Sequence, residues 1–492
     1  MSPGGEVLGP KLRTLVQGLA ELYLNGDLVI VAGAGVSRAS GLPGWDEMVA
    51  VLQKAAADDL SDKVDADELE AVLASLHRTD PISRADSLQR LLKTPRFHKY
   101  LHSALYDGTT GEPFRPSVIH WHIAALVDRR LMPNVFTSNY DDLLEDAKKA
   151  LGRSGRVRHF HGRLPQKWVG TTRLADPPVV TSRDYMAAEE DNRYDRFAGA
   201  LRDKTVLLVG FSLSDPNLAR IIRRQARDCR AILVASPANL GPTQQAIRLD
   251  LLRRFWHGLN ITVTAIEAYE ELPAFLLALR REIARRQGRV LSQLGDRALH
   301  SSVLHNPWTW SGAREWRSRL KEAVVAAKAV ATGVRGDSSL RAGFYAIEGN
   351  GQLVHLVSST TRRESHANLP RRRLLADDPR PWGAAGYAYA SGVQIASPTS
   401  GAAFDRNVPE ADLLVWQSER AAQKRLPASS VLCVPAWVRY DRSLVIIGVL
   451  YFSSRRGAAF ELSGDDEALR SVLQYTLAAM IRPERAVEGG MA

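Results

Sequence analysis

The sequence predicts an α/β chain: a parallel sheet flanked by helices, followed by an α+β domain built on an antiparallel sheet. Three observations carry this. Between residue 25 and about 270, short β-branched runs ("DLVIVAG", "MPNVFTSN", "KTVLLVGFS", "CRAILVASP", "LNITVTAIE") alternate with helical patterns, as parallel strands joined by crossover helices do. Beyond residue 312 hairpin patterns take over, one turning at Gly349-Asn350-Gly351 and another at Tyr440-Asp441-Arg442. The 492 residues, at about 150 per domain, leave room for two to four domains and a sizeable core.

The first element is an amphipathic helix, with Leu12, Leu15, Val16, Leu19, Leu22 and Tyr23 on one face; it lacks the basic stretch and unbroken apolar run of a secretory leader. The first strand then ends in "VAGAGVSRASGLPGW" (31–45). Residues 46–130 carry helical patterns, "WDEMVAVLQKAAADDL" and "ADELEAVLASLHR", which predict a helical module inserted into the α/β domain. "EELPAFLLALRREIARRQGR" closes a first domain at about residue 285, and residues 286–311 lose periodicity and read as a linker. A helix, "AREWRSRLKEAVVAAKAVATG", opens the second domain (312–492), and "DDEALRSVLQYTLAAMI" closes it after the hairpins.

Composition narrows the function. Hydrophobic residues make up 45% and charged residues 24%, ordinary values for a globular protein, and no apolar run is long enough to span a bilayer. Two cysteines, Cys229 and Cys433, exclude a disulfide framework and a four-thiolate zinc site and point to a reducing cytoplasm. The net charge of +11 bears on solubility before fold. Residues 361–373, "TRRESHANLPRRR", hold five arginines that suit a phosphate-bearing ligand or a solvated loop. They lack stacking aromatics, so sequence-specific nucleic-acid binding is not indicated.

In a parallel sheet the ligand sits beyond the carboxyl ends of the strands, and the informative loops all lie there: "GAGVS", "TSNYD" and "GFSLSDP". Gly33, Gly35 and Gly41 can bring backbone amides to a pyrophosphate, or simply make a tight strand-to-helix turn. No Lys-Ser or Lys-Thr follows Gly41, which argues against a P-loop. Asn139 precedes "YDDLLEDAKKAL" and reads as the N-cap of that helix, which does not exclude a further role. Asp215-Pro216 reads as an N-cap and first-turn proline. His159 and His161 alternate along an extended run and point the same way unless a bulge intervenes. Trp45 either packs in the core or walls the site.

Taken together, "GAGVSRASGLPGW", "TSNYDDLLE", "HFHGRL", "VVTSRDY" and "GFSLSDPNL", in this order across residues 25–285, closely resemble bacterial sirtuin-like domains that cleave NAD. The resemblance implies a Rossmann-like NAD-binding domain with an inserted helical module. It implies that Asn139 and His161 are catalytic, and that Gly33, Ala34, Gly35, Ser37, Asp46, Asp141, Gly210 and Ser212 line the NAD site. Ala34, Gly35 and Ser37 are expected on the phosphates, and Gly210 and Ser212 on the adenosine ribose. The residue types suit the reaction: breaking the nicotinamide–ribose bond passes through an oxocarbenium-like state, an amide can position the acceptor, and a neutral histidine can take its proton. The absence of the zinc ribbon of protein-deacylating sirtuins, and Gly44-Trp45-Asp46 in place of their Asp-Phe-Arg, favour water as acceptor. The expectation is an NAD glycohydrolase that holds no metal. A deacylase, an ADP-ribosyltransferase and a non-catalytic NAD sensor are the alternatives.

The second domain resembles a GAF domain through "GAAGYAYASGVQIASP" (383–398) and "SVLCVPAWVRYDRSLVIIGVLYFSS". This implies a sensor or oligomerisation role, with a small-molecule or phage-derived activator and a homo-oligomeric assembly, and the first domain's resemblance to bacterial sirtuin-like effectors implies a setting in antiphage defence by NAD depletion. The tryptophans at 308, 310 and 316 are candidate contacts between copies or core residues.

Overall fold

The computed structural model describes residues 10–59, 81–106, 113–168, 174–211, 216–234, 242–258, 261–266, 271–287, 291–305, 310–348, 353–359, 430–440, 443–456 and 465–481, with short or single stretches at 67, 71, 307, 371–372, 385–386, 388–389, 392, 395–398 and 459–460. It forms two compact units, Leu22–Ile266 and residues 1–21 with 267–491.

The first unit is built on a six-stranded parallel sheet of β1 (Leu28–Ala32), β2 (Asn134–Thr137), β3 (Arg156–His159), β4 (Thr205–Val209), β5 (Asp228–Val234) and β6 (Ile261–Ile266), in the order β3-β2-β1-β4-β5-β6. Every residue of β1 and β4 is buried, as expected of central strands covered on both faces. Five strands coincide with the five apolar runs of the sequence. The sixth, β3, is an edge strand whose Arg156 and Arg158 face solvent, so it shows no apolar run. The chain leaves β1 toward β2 and β3, then returns to the other side of β1 as β4, which makes the carboxyl ends of β1 and β4 the switch point where such sheets bind ligands.

Helices α2 (Ala34–Arg38), α3 (Trp45–Asp59), α4 (Pro81–Tyr106) and α5 (Val118–Leu126) lie between β1 and β2. A cluster of Leu52, Leu88, Phe97 and Leu101 joins α3 to α4 and continues to Leu143 and Leu164 beside the site. Every residue of α5 is buried; it packs on α2 and on α6 (Leu143–Ala150). Helices α7 (Ser182–Glu190) and α8 (Arg193–Leu201) precede β4, α9 (Pro216–Gln225) precedes β5 and α10 (Pro242–His257) precedes β6. Helix α9 begins at Pro216 as expected; Asp215, its expected cap, lies outside the described residues.

The second unit contains most of α1 (Pro10–Leu24), α11 (Glu271–Arg286), α12 (Leu291–Ser302), α13 (Trp310–Val330), α14 (Asp465–Met480) and an antiparallel sheet of β7 (Arg341–Ile347), β8 (Leu353–Ser358), β9 (Arg371–Arg372), β10 (Ile395–Pro398), β11 (Ser430–Tyr440) and β12 (Ser443–Ser454), ordered β10-β11-β12-β7-β8-β9. Both expected hairpins form, β7 with β8 and β11 with β12. Two boundaries differ from the sequence reading. Helix α11, expected to close the first domain, groups with the second unit, where buried Arg280 donates to the Leu444 carbonyl at 2.7 Å. The expected linker contains α12, whose narrow apolar face of Leu294, Ala298 and Leu299 is buried in the second core. Trp316 is also core: it stacks on Phe344 at 4.5 Å and its indole N–H donates to the His305 carbonyl. Residues 361–370 and 373 of the basic stretch lie outside the described residues, as does Trp308. Among the described residues no helix is long and apolar enough to cross a membrane, and no group of three or more His, Cys, Asp or Glu could hold a metal ion.

At the switch point the first unit requires glycine. Gly210 has φ +66°, and a Cβ there would stand 2.6 Å from the Val36 amide nitrogen; a Cβ on Gly33 or Gly35 would lie 2.6 or 2.8 Å from Gly210 atoms. Hydrogen bonds hold this approach, from Gly33 N to Val209 O at 2.9 Å and from Gly35 N to Gly210 O at 2.8 Å. Gly210→Ala is therefore expected to lower the denaturation midpoint by more than Gly152→Ala. Gly152 also has positive φ but nothing within 4 Å, so its variant carries only the left-handed backbone cost of about 1–2 kcal/mol. Equal losses in a urea or thermal melt would show that the contact does not matter.

Candidate functional site

Beyond the end of β2 the chain runs Ser138-Asn139-Tyr140-Asp141. Its start is tied to β1: Ser138 N and Thr137 Oγ1 both donate to the Ala32 carbonyl, at 3.1 and 3.0 Å, and Asn139 N donates to Thr137 Oγ1 at 3.0 Å. Helix α6 starts only at Leu143, with Asp142 at its N-cap position. Asn139 is thus not the cap, and its side chain is directed elsewhere.

That side chain enters a polar cluster centred on Ser37, which is 3% exposed. Asn139 Nδ2 donates to Ser37 Oγ at 2.8 Å, Ser37 Oγ donates to Asp141 Oδ2 at 2.7 Å, and His120 Nε2 lies 3.3 Å from Ser37 Oγ. His120 Nδ1 accepts from Ser117 N at 3.1 Å, so in the neutral ring the proton is on Nε2, directed at Ser37. Burial holds His120 neutral by pushing its pKa down to about 3. The Ser37 hydroxyl then accepts two hydrogens and donates one, with no conflict. Burial likewise raises Asp141 to about 6, against the lowering pull of the Ser37 and Leu143 N hydrogen bonds. Asn139 Oδ1 is buried and has no hydrogen-bond partner among the described residues. The cluster fixes the nitrogen end of the amide and leaves its oxygen available.

The chain beyond β3 lies alongside. Phe160 N donates to Thr137 O at 3.1 Å and Leu164 N to Tyr140 O at 2.8 Å, so His161 follows the strand next to that of Asn139. His161 is buried, with its ring against Phe160, Tyr185 and Tyr194 at centroid distances of 4.5, 5.5 and 6.4 Å. Its carbonyl accepts from Val179 N at 2.7 Å. Gly162 follows with φ +77°, where a Cβ would collide with the Pro177 carbonyl. The two histidines do not share a direction. The strand ends at His159, residues 160 and 161 turn, and His159 instead faces Glu145 on α6 at 2.5 Å.

The remaining expected residues separate into groups. Gly33, Ala34, Gly35 and Gly210 line the switch point, with Ala34 exposed and Gly35 half-buried. Ser37 and Asp141, expected on the ligand, are committed to the buried cluster: Ser37 faces inward from α2 and Asp141 from the loop beyond β2. Asp46 lies on α3, and Ser212 lies outside the described residues. Trp45 is half-buried, 6.4 Å from Tyr140. Sequence reasoning missed Ser117, His120 and Glu145. The available signal was a histidine inside the apolar run "VIHWHIAAL" at the third position after a serine cap, where a capping box usually has Glu or Gln.

An α/β fold with a polar cluster at the carboxyl ends of β1 and β2 thus defines the class. Within it, residues 133–263 match the family described as SIR2-like domain. Two proteins named NAD(+) hydrolase ThsA are similar to this chain. One, from Enterococcus faecium, is 23% identical over 309 residues, 56% of this chain and 59% of that protein. The other, from Acinetobacter baumannii (strain 532279), is 25% identical over 224 residues, 43% of this chain and 42% of that protein. The chain therefore matches less than two thirds of either relative's length. Among solved structures, a Sir2 homologue–NAD complex is 18% identical, with a TM-score of 0.32 over 57% of this chain and 98% of its own. A structure from work on the mechanism and regulation of Sir2 enzymes is 16% identical, with a TM-score of 0.32 over 57% and 100%.

The cluster sets opposing pH dependences of stability. His120 titrates near 3 when folded and near its ordinary 6.5 when unfolded, so between these values the unfolded chain binds more protons and stability falls as pH falls. Asp141 titrates near 6 when folded against an ordinary 3.8, so it acts in the opposite sense between those values. In denaturant melts from pH 7 to 4, His120→Gln is expected to flatten the acid loss and Asp141→Asn to steepen it. Identical slopes in wild type and both variants would contradict this cluster.

Proposed function

We propose that this chain is an NAD glycohydrolase that releases nicotinamide and ADP-ribose. The observation that carries the reading is Asn139, its amide nitrogen tied to Ser37 and its oxygen open, beside His161 at the carboxyl end of a parallel sheet. In the proposed reaction the bond between nicotinamide and ribose C1′ breaks, and nicotinamide leaves as a neutral amine. The positive charge spreads over C1′ and the ring oxygen. Asn139 Oδ1 accepts a hydrogen bond from the attacking water, and His161 takes that water's proton as the new bond forms. The phosphates would lie at the Gly33–Gly35 turn against Gly210. The names of the similar proteins support the substrate. Water as acceptor is supported by the cysteine count, since Cys229 and Cys433 lie on β5 and β11 of different units.

The wider reading is a cytoplasmic, homo-oligomeric effector of antiphage defence whose NAD consumption is gated by a GAF-like second unit binding a small-molecule or phage-derived activator. Uncontrolled NAD loss would kill the host cell. Gating requires the activator to bind the active state more tightly than the inactive one.

Purified protein incubated with NAD, with and without extract of phage-infected cells, is expected to release nicotinamide and ADP-ribose, followed by chromatography. Asn139→Ala and His161→Ala should each lose about a hundredfold or more in rate while remaining folded at the assay temperature, each with a lowered melting midpoint because a buried contact is removed. Full activity in both variants would overturn the assignment. Transfer of ADP-ribose or loss of an acyl group from an added peptide would replace water as acceptor, and tight NAD binding without cleavage would make the unit a sensor.

A further inference from the structure

His159 is bound on both sides of its ring. Nδ1 lies 2.7 Å from the carbonyl oxygen of Asn139, and Nε2 lies 2.5 Å from Glu145 Oε1 on α6. Its side chain is 4% exposed and that of Glu145 22%. Both neighbours are acceptors, whereas a neutral imidazole has one N–H to donate. Satisfying both contacts takes a doubly protonated ring, and the adjacent carboxylate compensates its charge. We propose that His159 is a positioning residue: its imidazolium clamps the Asn139 main chain to Glu145 of α6 and thereby sets the direction in which the Asn139 amide presents its oxygen.

This rests on the reading of Asn139 as catalytic, but it assigns His159 and Glu145 a role of their own. Asn139 is held at three points: its N–H by Thr137, its side-chain nitrogen by Ser37 and its carbonyl by His159. The first two face β1 and the buried cluster. Only the third comes from β3, which ends two residues before His161, so the clamp ties Asn139 to the segment that leads into His161. The charged and titratable groups around the clamp are Glu145 itself, Arg163 at 3.6 Å from Glu145, and Asp141 beyond β2, with His120, Tyr106 and Asp146 within electrostatic reach of Glu145. Burial disfavours the charged ring, but the hydrogen bond and charge of Glu145 outweigh it and hold His159 above its ordinary value of 6.5. As pH rises through the elevated value the ring loses a proton, one of the two contacts loses its donor, and turnover falls.

The test compares wild type, His159→Gln, His159→Lys, Glu145→Gln and Asn139→Ala in the nicotinamide-release assay across pH. Glutamine is expected to lower kcat about ten- to a hundredfold with KM changed by less than about threefold. Lysine keeps a cation that can pair with Glu145 but not span both acceptors, so it should recover kcat in part and move the alkaline limb upward. Wild-type kcat in both His159→Gln and Glu145→Gln, or equal damage in the glutamine and lysine variants, would overturn the clamp. Activity in Asn139→Ala would instead overturn the reading of Asn139. Should His159→Gln fail to fold, nitrogen-15 shifts of wild-type protein labelled at histidine decide: both His159 nitrogens protonated at pH 7 supports the clamp, and one bare nitrogen refutes it.

Discussion

Between β1 and β4 the backbone of Gly33–Gly35 rests on that of Gly210, and the sheet around it is arranged by that contact. The two central strands run side by side for five paired residues, Leu28 with Thr205 through Ala32 with Val209. Their carboxyl ends diverge only after the Gly33 and Gly35 amides have bonded to Val209 and Gly210. Any side chain here would separate the strands or force the left-handed residue out of its turn. The glycines were expected to bring amides to phosphate. Two of those amides are spent on the fold, and what the glycines supply first is closeness, which brings α2 and Ser37 over the end of β2.

Ser37 converts that closeness into a polar site. A buried hydroxyl left without partners costs about 1–3 kcal/mol, and a half-satisfied network is worse than an apolar one. Here every hydrogen has a place. His120 is neutral and donates through Nε2, Asn139 donates through its amide, and Ser37 passes its own hydrogen to Asp141. A charged His120 would place a second donor on the Ser117 side, where the backbone N–H already donates. Burial and hydrogen-bond direction therefore favour the same protonation state. The cluster leaves one exception among the described residues, the buried Asn139 Oδ1, which has no hydrogen-bond partner.

The amino-acid sequence reveals most of the frame and part of the site. Runs such as "LVIVA" and "TVLLV" identify central strands because burial on both faces demands them, and the motif order identifies the loops beyond their ends. What stays hidden depends on distant partners. Ser37 meets His120, Asn139 and Asp141 across 83, 102 and 104 positions, and no periodicity encodes such pairings. Strand β3 has four residues, two of them exposed arginines, so neither its length nor its polarity reads as a strand. The register of 156–161 escapes for the same reason. A strand continued through His161 would align both histidines, whereas the turn at Phe160 sends them to different neighbours. In the second unit α12 reads as a linker because its buried apolar side chains are few, Leu294, Ala298 and Leu299, with Gly295 and Ser302 buried beside them.

The placement of the site at the short end of the sheet explains why it needs so many ties. Strands β2 and β3 have four residues each, and β3 pairs on one side only. Backbone hydrogen bonds contribute about 1 kcal/mol each, so a four-residue edge strand cannot by itself fix the loop that follows it. The additional bonds lie past the end of the strand: Phe160 N to Thr137 O, Leu164 N to Tyr140 O, Val179 N to His161 O and the paired contacts of His159. Each joins the β2 loop to the β3 loop or fixes the β3 loop from behind. A longer strand would supply the same rigidity but would carry residues 160–162 onward in pleated alternation, turning His161 to the side that His159 faces. Ending the strand early and restraining the loops instead sends the two histidines apart, His159 toward the Asn139 carbonyl and Glu145 and His161 among Phe160, Tyr185 and Tyr194.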